Sequence, residues 1–144
     1  MRFSTSIGPV LMLMLTHAAV AADRVTMFDM LKSEYEAAEK TFFDAPSPTE
    51  PTPADNIRRY EEWPGWKYIL RFQALAEARP DDETAFRCCE WIIDRTSNVG
   101  NEDRLIFNAD QKAWEIIAAH HTDRDDLPML CLRAVACRTR CHPT

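Results

Sequence analysis

Five cysteines and a pair of histidines are the residues of this chain whose chemistry could do more than pack. The cysteines are Cys88, Cys89, Cys131, Cys137 and Cys141. Cys137-Arg138-Thr139-Arg140-Cys141-His142 comes near a c-type haem attachment motif, Cys-x-x-Cys-His, but has one residue too many between the thiols. Cys131, Cys137, Cys141 and His142 could supply four zinc ligands. Their spacing, with Cys141 and His142 adjacent, does not match paired-knuckle patterns. His120 and His121 close a helical stretch, where histidine interacts well with the dipole and can cap carbonyls. His120 falls on the apolar stripe and is expected to be the partly buried one of the two. We therefore expect no metal site and no cofactor.

Disulfides are the other outlet for these thiols. An odd number leaves at least one thiol free, buried or paired between chains. Cys88 and Cys89 point to different sides of one helix. Cys89 lies on the apolar stripe and is expected in the core, and Cys88 nearer the surface. Pairing between this helix and the last one is expected if the two are neighbours. A bond between Cys137 and Cys141, one turn apart, would require that turn to unwind, because disulfide geometry is strict.

No catalytic constellation accompanies them. The three glycines cannot form a Gly-rich phosphate loop, and no Gly-x-Ser-x-Gly elbow occurs. Acidic pairs such as Glu61-Glu62 and Asp81-Asp82 sit at helix termini, where capping accounts for them. A dyad of Cys88 with His120 or His121 has only residue type in its favour. The expectation is a chain that is not an enzyme.

The N-terminus carries an export pattern. Arg2 is followed by a mostly apolar run from Ile7 to Leu15, about the length of a signal-peptide core and too short to span a bilayer. The small residues Ala19-Val20-Ala21 and Val20-Ala21-Ala22 then place cleavage after Ala21 or Ala22. Removing Arg2 from 17 basic residues leaves 16 against 23 acidic ones, a net charge of −7. Such a chain, with no basic cluster, suits neither nucleic acid nor, once cleaved, a membrane surface. We expect a periplasmic or secreted protein.

The rest reads as helices. Residues 23–43 form a stripe of Phe28, Leu31, Tyr35, Ala38 and Phe42, with Thr26 and Asp29 resembling a capping box at its start. Residues 44–56, with Pro46, Pro48, Pro51 and Pro53, read as a mobile proline-rich linker. A helical domain over 57–142 follows. Trp63-Pro64-Gly65 makes a corner, and Ile69, Phe72 and Ala76 are the inner stripe of the helix that ends before Pro80. Asp81 or Asp82 caps the next, with Phe86, Cys89 and Ile92 or Ile93 on its face. A helix from Asn101 presents Leu105, Ile106, Ala109, Ala113, Ile116 and Ile117, and one from Asp125 or Asp126 presents Leu127, Leu130 and Ala134. With no alternating apolar–polar run of strand length, the fold class is all-α: about five short amphipathic helices packed as antiparallel hairpins, TPR-like or an irregular bundle. Trp66, Trp91 and Trp114 recur 25 and 23 residues apart, which hints at stacked hairpins.

The order Phe28–Leu31–Tyr35–Ala38–Phe42–Phe43, then 70–82 (LRFQALAEARPDD), then Trp91-Ile92-Ile93 resembles the helical region ahead of a thioredoxin-like domain in exported planctomycete-type redox proteins. The resemblance spans roughly Met27 to Ala134. In that family the chemistry belongs to the thioredoxin-like domain and its Trp-Cys-x-x-Cys site, a motif absent from this sequence. The resemblance implies a scaffold or docking module without the catalytic part. Together these readings point to an exported protein-interaction module, with an unidentified protein partner and an apolar groove near Trp63, Trp66 and Tyr68. The alternative is a thiol-redox, haem or metal-binding protein using the C-terminal cysteines.

Overall fold

The computed structural model describes the backbone of residues 8–97 and 104–141, and side chains over 23–97 and 105–136. Six helices follow in order: α1 Gly8–Asp44, α2 Pro53–Glu61, α3 Gly65–Ala78, α4 Glu83–Thr96, α5 Arg104–His120 and α6 Leu127–Cys141. No strand occurs among the described residues, so the fold is all-α as expected.

The helix boundaries follow local chemistry. Asp82 is the N-cap of α4, its carboxylate accepting from the Ala85 amide at 2.8 Å. Pro80 lies beyond the end of α3 and cannot extend it. Two boundaries differ from expectation. Thr26 starts no helix, because α1 already runs from Gly8 through an Ala- and Leu-rich stretch with nothing after Pro9 to break it. The linker is shorter than 44–56, because α2 begins at Pro53. There Thr52 and Asp55 form a reciprocal capping box, with the Asp55 amide donating to Thr52 Oγ1 at 3.2 Å and the Thr52 amide to Asp55 Oδ2 at 3.1 Å. Pro53 sits at the first helical position, where a missing N–H costs nothing.

The arrangement is an irregular bundle rather than a linear row. In a stacked array each hairpin touches only its neighbours. Here α4 packs against α1, α3, α5 and α6, and α3 also meets α1 and α5. The axis of the core is correspondingly the side of α4 that holds Ala85, Phe86, Cys88, Cys89, Ile92 and Ile93, all buried. An aromatic cluster joins α1, α3 and α4. Trp91 stacks on Phe72 with centroids 4.0 Å apart and meets Tyr35 edge-on at 4.9 Å, while Phe28 meets Phe72 at 5.4 Å. The Trp91 indole N–H is buried with no hydrogen-bond partner among the described residues.

The turn between α3 and α4 is held from three sides. Arg24, itself buried, donates from Nε to Asp82 Oδ2 at 2.6 Å and from Nη2 to the Leu75 carbonyl at 2.8 Å. His121, one residue past α5, bonds through Nε2 to the Pro80 carbonyl at 2.8 Å and meets Phe86 edge-on. Arg124 pairs with Glu83 and Asp126, its guanidinium 3.8 Å from the Phe86 ring centroid. Lesser ion pairs bridge other seams: Arg71 with Glu34, Arg87 with Asp29, and Arg133 with Glu90. These are solvent-exposed and add little stability.

Arg24→Ala strands Asp82 and frees the Leu75 carbonyl, and we expect it to cost about 2–4 kcal/mol in chemical denaturation, given that the pair is buried on the arginine side. Asp82→Asn keeps a cap acceptor, whereas Asp82→Ala loses both cap and pair. The alanine variant should be the less stable of the two by about 1 kcal/mol.

Candidate functional site

The structure separates the residues proposed for chemistry. Cys88, Cys89 and Cys131 are free thiols, so no disulfide joins them. Cys88 is fully buried rather than near the surface, because α4 is surrounded by four helices and has little open face. Cys89 is buried as expected. Cys131 is exposed although α4 and α6 are neighbours. Leu127, Leu130 and Ala134 occupy the side of α6 that packs inward, and Cys131 projects off that side. The side chains of Cys137 and Cys141, and all of His142, lie outside the described residues, so the haem-like and zinc arrangements fall there too.

The histidines exchange the roles assigned to them. His121 is buried and His120 exposed, because α5 ends at His120 and the chain turns inward at the following residue. No group of three or more His, Cys, Asp or Glu side chains suited to a metal ion occurs among the described residues.

Burial also removes Cys88 and Cys89 as nucleophiles. It pushes the Cys89 thiol up to about 12 and Cys88 higher still, where the adjacent Cys89 adds to the effect. A reactive cysteine needs the opposite environment. Tyr35 is likewise held well above its ordinary value, first by burial and then by the hydrogen bond its hydroxyl donates to Glu39.

The surface feature with the strongest binding character lies elsewhere, at the α2–α3 corner. α2 contributes no buried residue, and it leaves Ile57 60% exposed and Tyr60 44% exposed. Trp66 reaches back from α3 and donates its indole N–H to the Tyr60 carbonyl at 2.7 Å. Its ring meets Tyr60 at 4.8 Å and Trp63 at 5.5 Å, both edge-on. Trp63 and Trp66 are half-buried against the core, whereas Tyr68, expected in the same groove, is buried. Gly65 gives this corner its close approach: a Cβ at that position would overlap the Trp63 ring and displace it. Arg59 ties α2 to the end of α1, its guanidinium 4.9 Å from the Phe42 centroid. The result is a preorganised aromatic ledge of Ile57, Tyr60, Trp63 and Trp66. Sequence reasoning found its tryptophans. It read no more than a short helical turn over 56–62 and missed where α2 starts, although Thr52-Pro53-Ala54-Asp55 was a legible capping signal.

A second apolar feature is a cleft of about 450 Å³ between α1 and α3, with Met27, Met30 and Ala74 among its lining and Arg71 and Glu34 paired across it. Its charged groups are spoken for, so it offers apolar contact alone.

The chain matches no protein-family model, no curated protein and no solved structure.

Two outcomes follow for the thiols. A thiol reagent applied to the folded Cys137→Ser/Cys141→Ser protein should modify Cys131 promptly and Cys88 and Cys89 only on unfolding, as read by intact mass. The pH dependence has a definite sign. Folded-state values above the ordinary thiol value of 9.0 mean that the unfolded chain loses protons first. Stability contributed by the neutral thiols is therefore fully present below pH 9 and declines as pH rises beyond it, by at most about 1.4 kcal/mol per pH unit for each such group. Cys88→Ala/Cys89→Ala should flatten that alkaline decline in denaturant titrations.

Proposed function

We propose that this chain is an exported, non-enzymatic helical module that binds a protein partner through the ledge of Ile57, Tyr60, Trp63 and Trp66. One observation carries the reading: α2 buries nothing in its own fold, yet it is capped, tethered and placed to present apolar and aromatic side chains beside two half-buried tryptophans. Large aromatic side chains with an adjacent Arg are the composition of interface hot spots. Their mutual hydrogen bond and edge-on contacts lower the ordering cost of binding. The resemblance to helical regions that precede thioredoxin-like domains agrees with a docking role.

Export rests on the N-terminal pattern. No described helix is long and apolar enough to cross a membrane. The residues by which α1 grips the body in the described region, Arg24, Phe28, Leu31 and Tyr35, all lie after both candidate cleavage points. Processing after Ala21 or Ala22 would therefore leave those anchors in the mature chain.

The test is a photo-crosslinking amino acid at position 57, used in the exporting host. It should capture a discrete protein, and the same probe at exposed position 36 should not. Tyr60→Ala should reduce capture at least tenfold with an unchanged melting curve, the loss expected for a hot-spot residue. Equal capture at positions 57 and 36 overturns the reading. Intact mass of the exported protein should show a chain starting at Ala22 or Asp23.

A further inference from the structure

Residues 45–52 link α1 to α2 without forming a helix, and all of them are exposed. Their sequence is Ala-Pro-Ser-Pro-Thr-Glu-Pro-Thr, with Pro53 following. Each proline fixes its own φ, lacks an N–H and biases the residue before it toward extended backbone. Thr52, which precedes Pro53, is extended in this way. Three hydroxyls are spaced among the prolines, at Ser47, Thr49 and Thr52. Serine and threonine interleaved with proline is the composition of O-glycosylated stalks.

The structure distinguishes the three hydroxyls. Thr52 donates its hydroxyl to Asp55 Oδ2 at 2.7 Å and accepts from the Asp55 amide at 3.2 Å, so it is committed as the cap of α2. Ser47 accepts from the Arg59 guanidinium, which holds it against α2. Thr49 makes no hydrogen bond among the described residues, and with Glu50 it forms the bend of the segment. Its hydroxyl is exposed and uncommitted, on backbone that no helix occupies. Thr122 is exposed as well, but it sits in the turn between His121 and Arg124, both fixed to the α3–α4 corner, and no proline adjoins it.

We infer that Thr49 is an O-glycosylation acceptor of the exported chain. In the transfer, Thr49 Oγ1 attacks the anomeric carbon of a diphosphate-activated sugar. The bond from that carbon to the phosphate oxygen breaks, the diphosphate leaves with the electron pair, and the hydroxyl proton passes to a base of the host's transferase. One C–O bond replaces another, and nothing is oxidised or reduced. The sugar shields the segment. Exposed loop tips are the preferred sites of proteolytic nicking, and a cut here leaves α1, with its anchors Arg24, Phe28 and Tyr35, held to the body by contacts alone. The inference rests on the export reading and is independent of the aromatic ledge.

Intact mass of the full chain recovered after export, before and after alkaline β-elimination, tests it. Wild type should be heavier than its processed sequence by one or more whole sugar residues, and alkali should remove them. Thr49→Ala should return the bare mass with an unchanged melting curve. Thr49→Ser, which keeps the hydroxyl, should keep the sugar, as should Ser47→Ala and Thr122→Ala. A broad-specificity protease should nick Thr49→Ala within 45–52 severalfold faster than wild type, and equal nicking overturns the shielding. A processed chain starting at Ala22 or Asp23 at its bare mass overturns the inference and leaves the export reading intact. A chain that retains residues 1–21 and carries no sugar overturns the export reading and the inference with it. Sugar that persists in Thr49→Ala places the acceptor elsewhere and overturns the assignment.

Discussion

The turn from α3 to α4 is where the chain commits to its tertiary structure, and Asp82 is the residue that makes it hold. Its carboxylate does two things at once. One oxygen terminates the free amides of α4, and the other receives the guanidinium of Arg24 from the first helix. Arg24 also satisfies the Leu75 carbonyl near the end of α3. One buried cation thus joins the end of one helix, the start of the next and a helix nearly sixty residues earlier. Charge removed from water must be paired and hydrogen-bonded, and here each demand is met by a group that itself needed a partner. His121 and Arg124 close the same turn from the loop after α5. Four segments are consequently fixed by one corner.

Because that corner places α4 at the centre, α4 has almost no solvent face, and this decides the fate of the chemistry. Adjacent thiols on an ordinary surface helix would include one open to solvent. Around a central helix both Cys88 and Cys89 become core volume, with their protons held by burial. The same centrality leaves the peripheral helices with apolar residues to spare. α2 and the outer side of α6 carry exposed Ile57, Tyr60, Met129, Leu132 and Val135. Single exposed apolar residues are ordinary, but grouped ones with fixed neighbours mark contact surfaces.

Trp91 shows how packing outranks a single polar atom. Its indole N–H finds no partner among the described residues, while the ring stacks on Phe72 and receives the edge of Tyr35. An unmade hydrogen bond of this kind costs about 1–3 kcal/mol. Burying an aromatic ring in edge-on and stacked contacts returns a comparable amount or more, so the cluster is stable with the donor orphaned.

What was legible in the sequence is what depends on near neighbours along the chain. Apolar periodicity, Pro80 and the cap at Asp82 determined the class, five of the six described helices and nearly all of their inward residues, from Phe28 and Tyr35 to Ile117 and Leu130. The corner at Trp63-Pro64-Gly65 was legible too, because proline and glycine act locally. The tertiary structure decided everything that depends on which helices meet. Periodicity gives one inward face per helix and cannot say that α4 has neighbours on nearly every side, so it misplaced Cys88. It assigns a residue to a stripe and cannot see where the chain bends, so it chose His120 over His121. Nor does it report distance: that Arg24 reaches Asp82, and that α2 leaves its aromatic side open beside Trp66, follow from contacts between segments far apart in sequence, which only the packed bundle brings together.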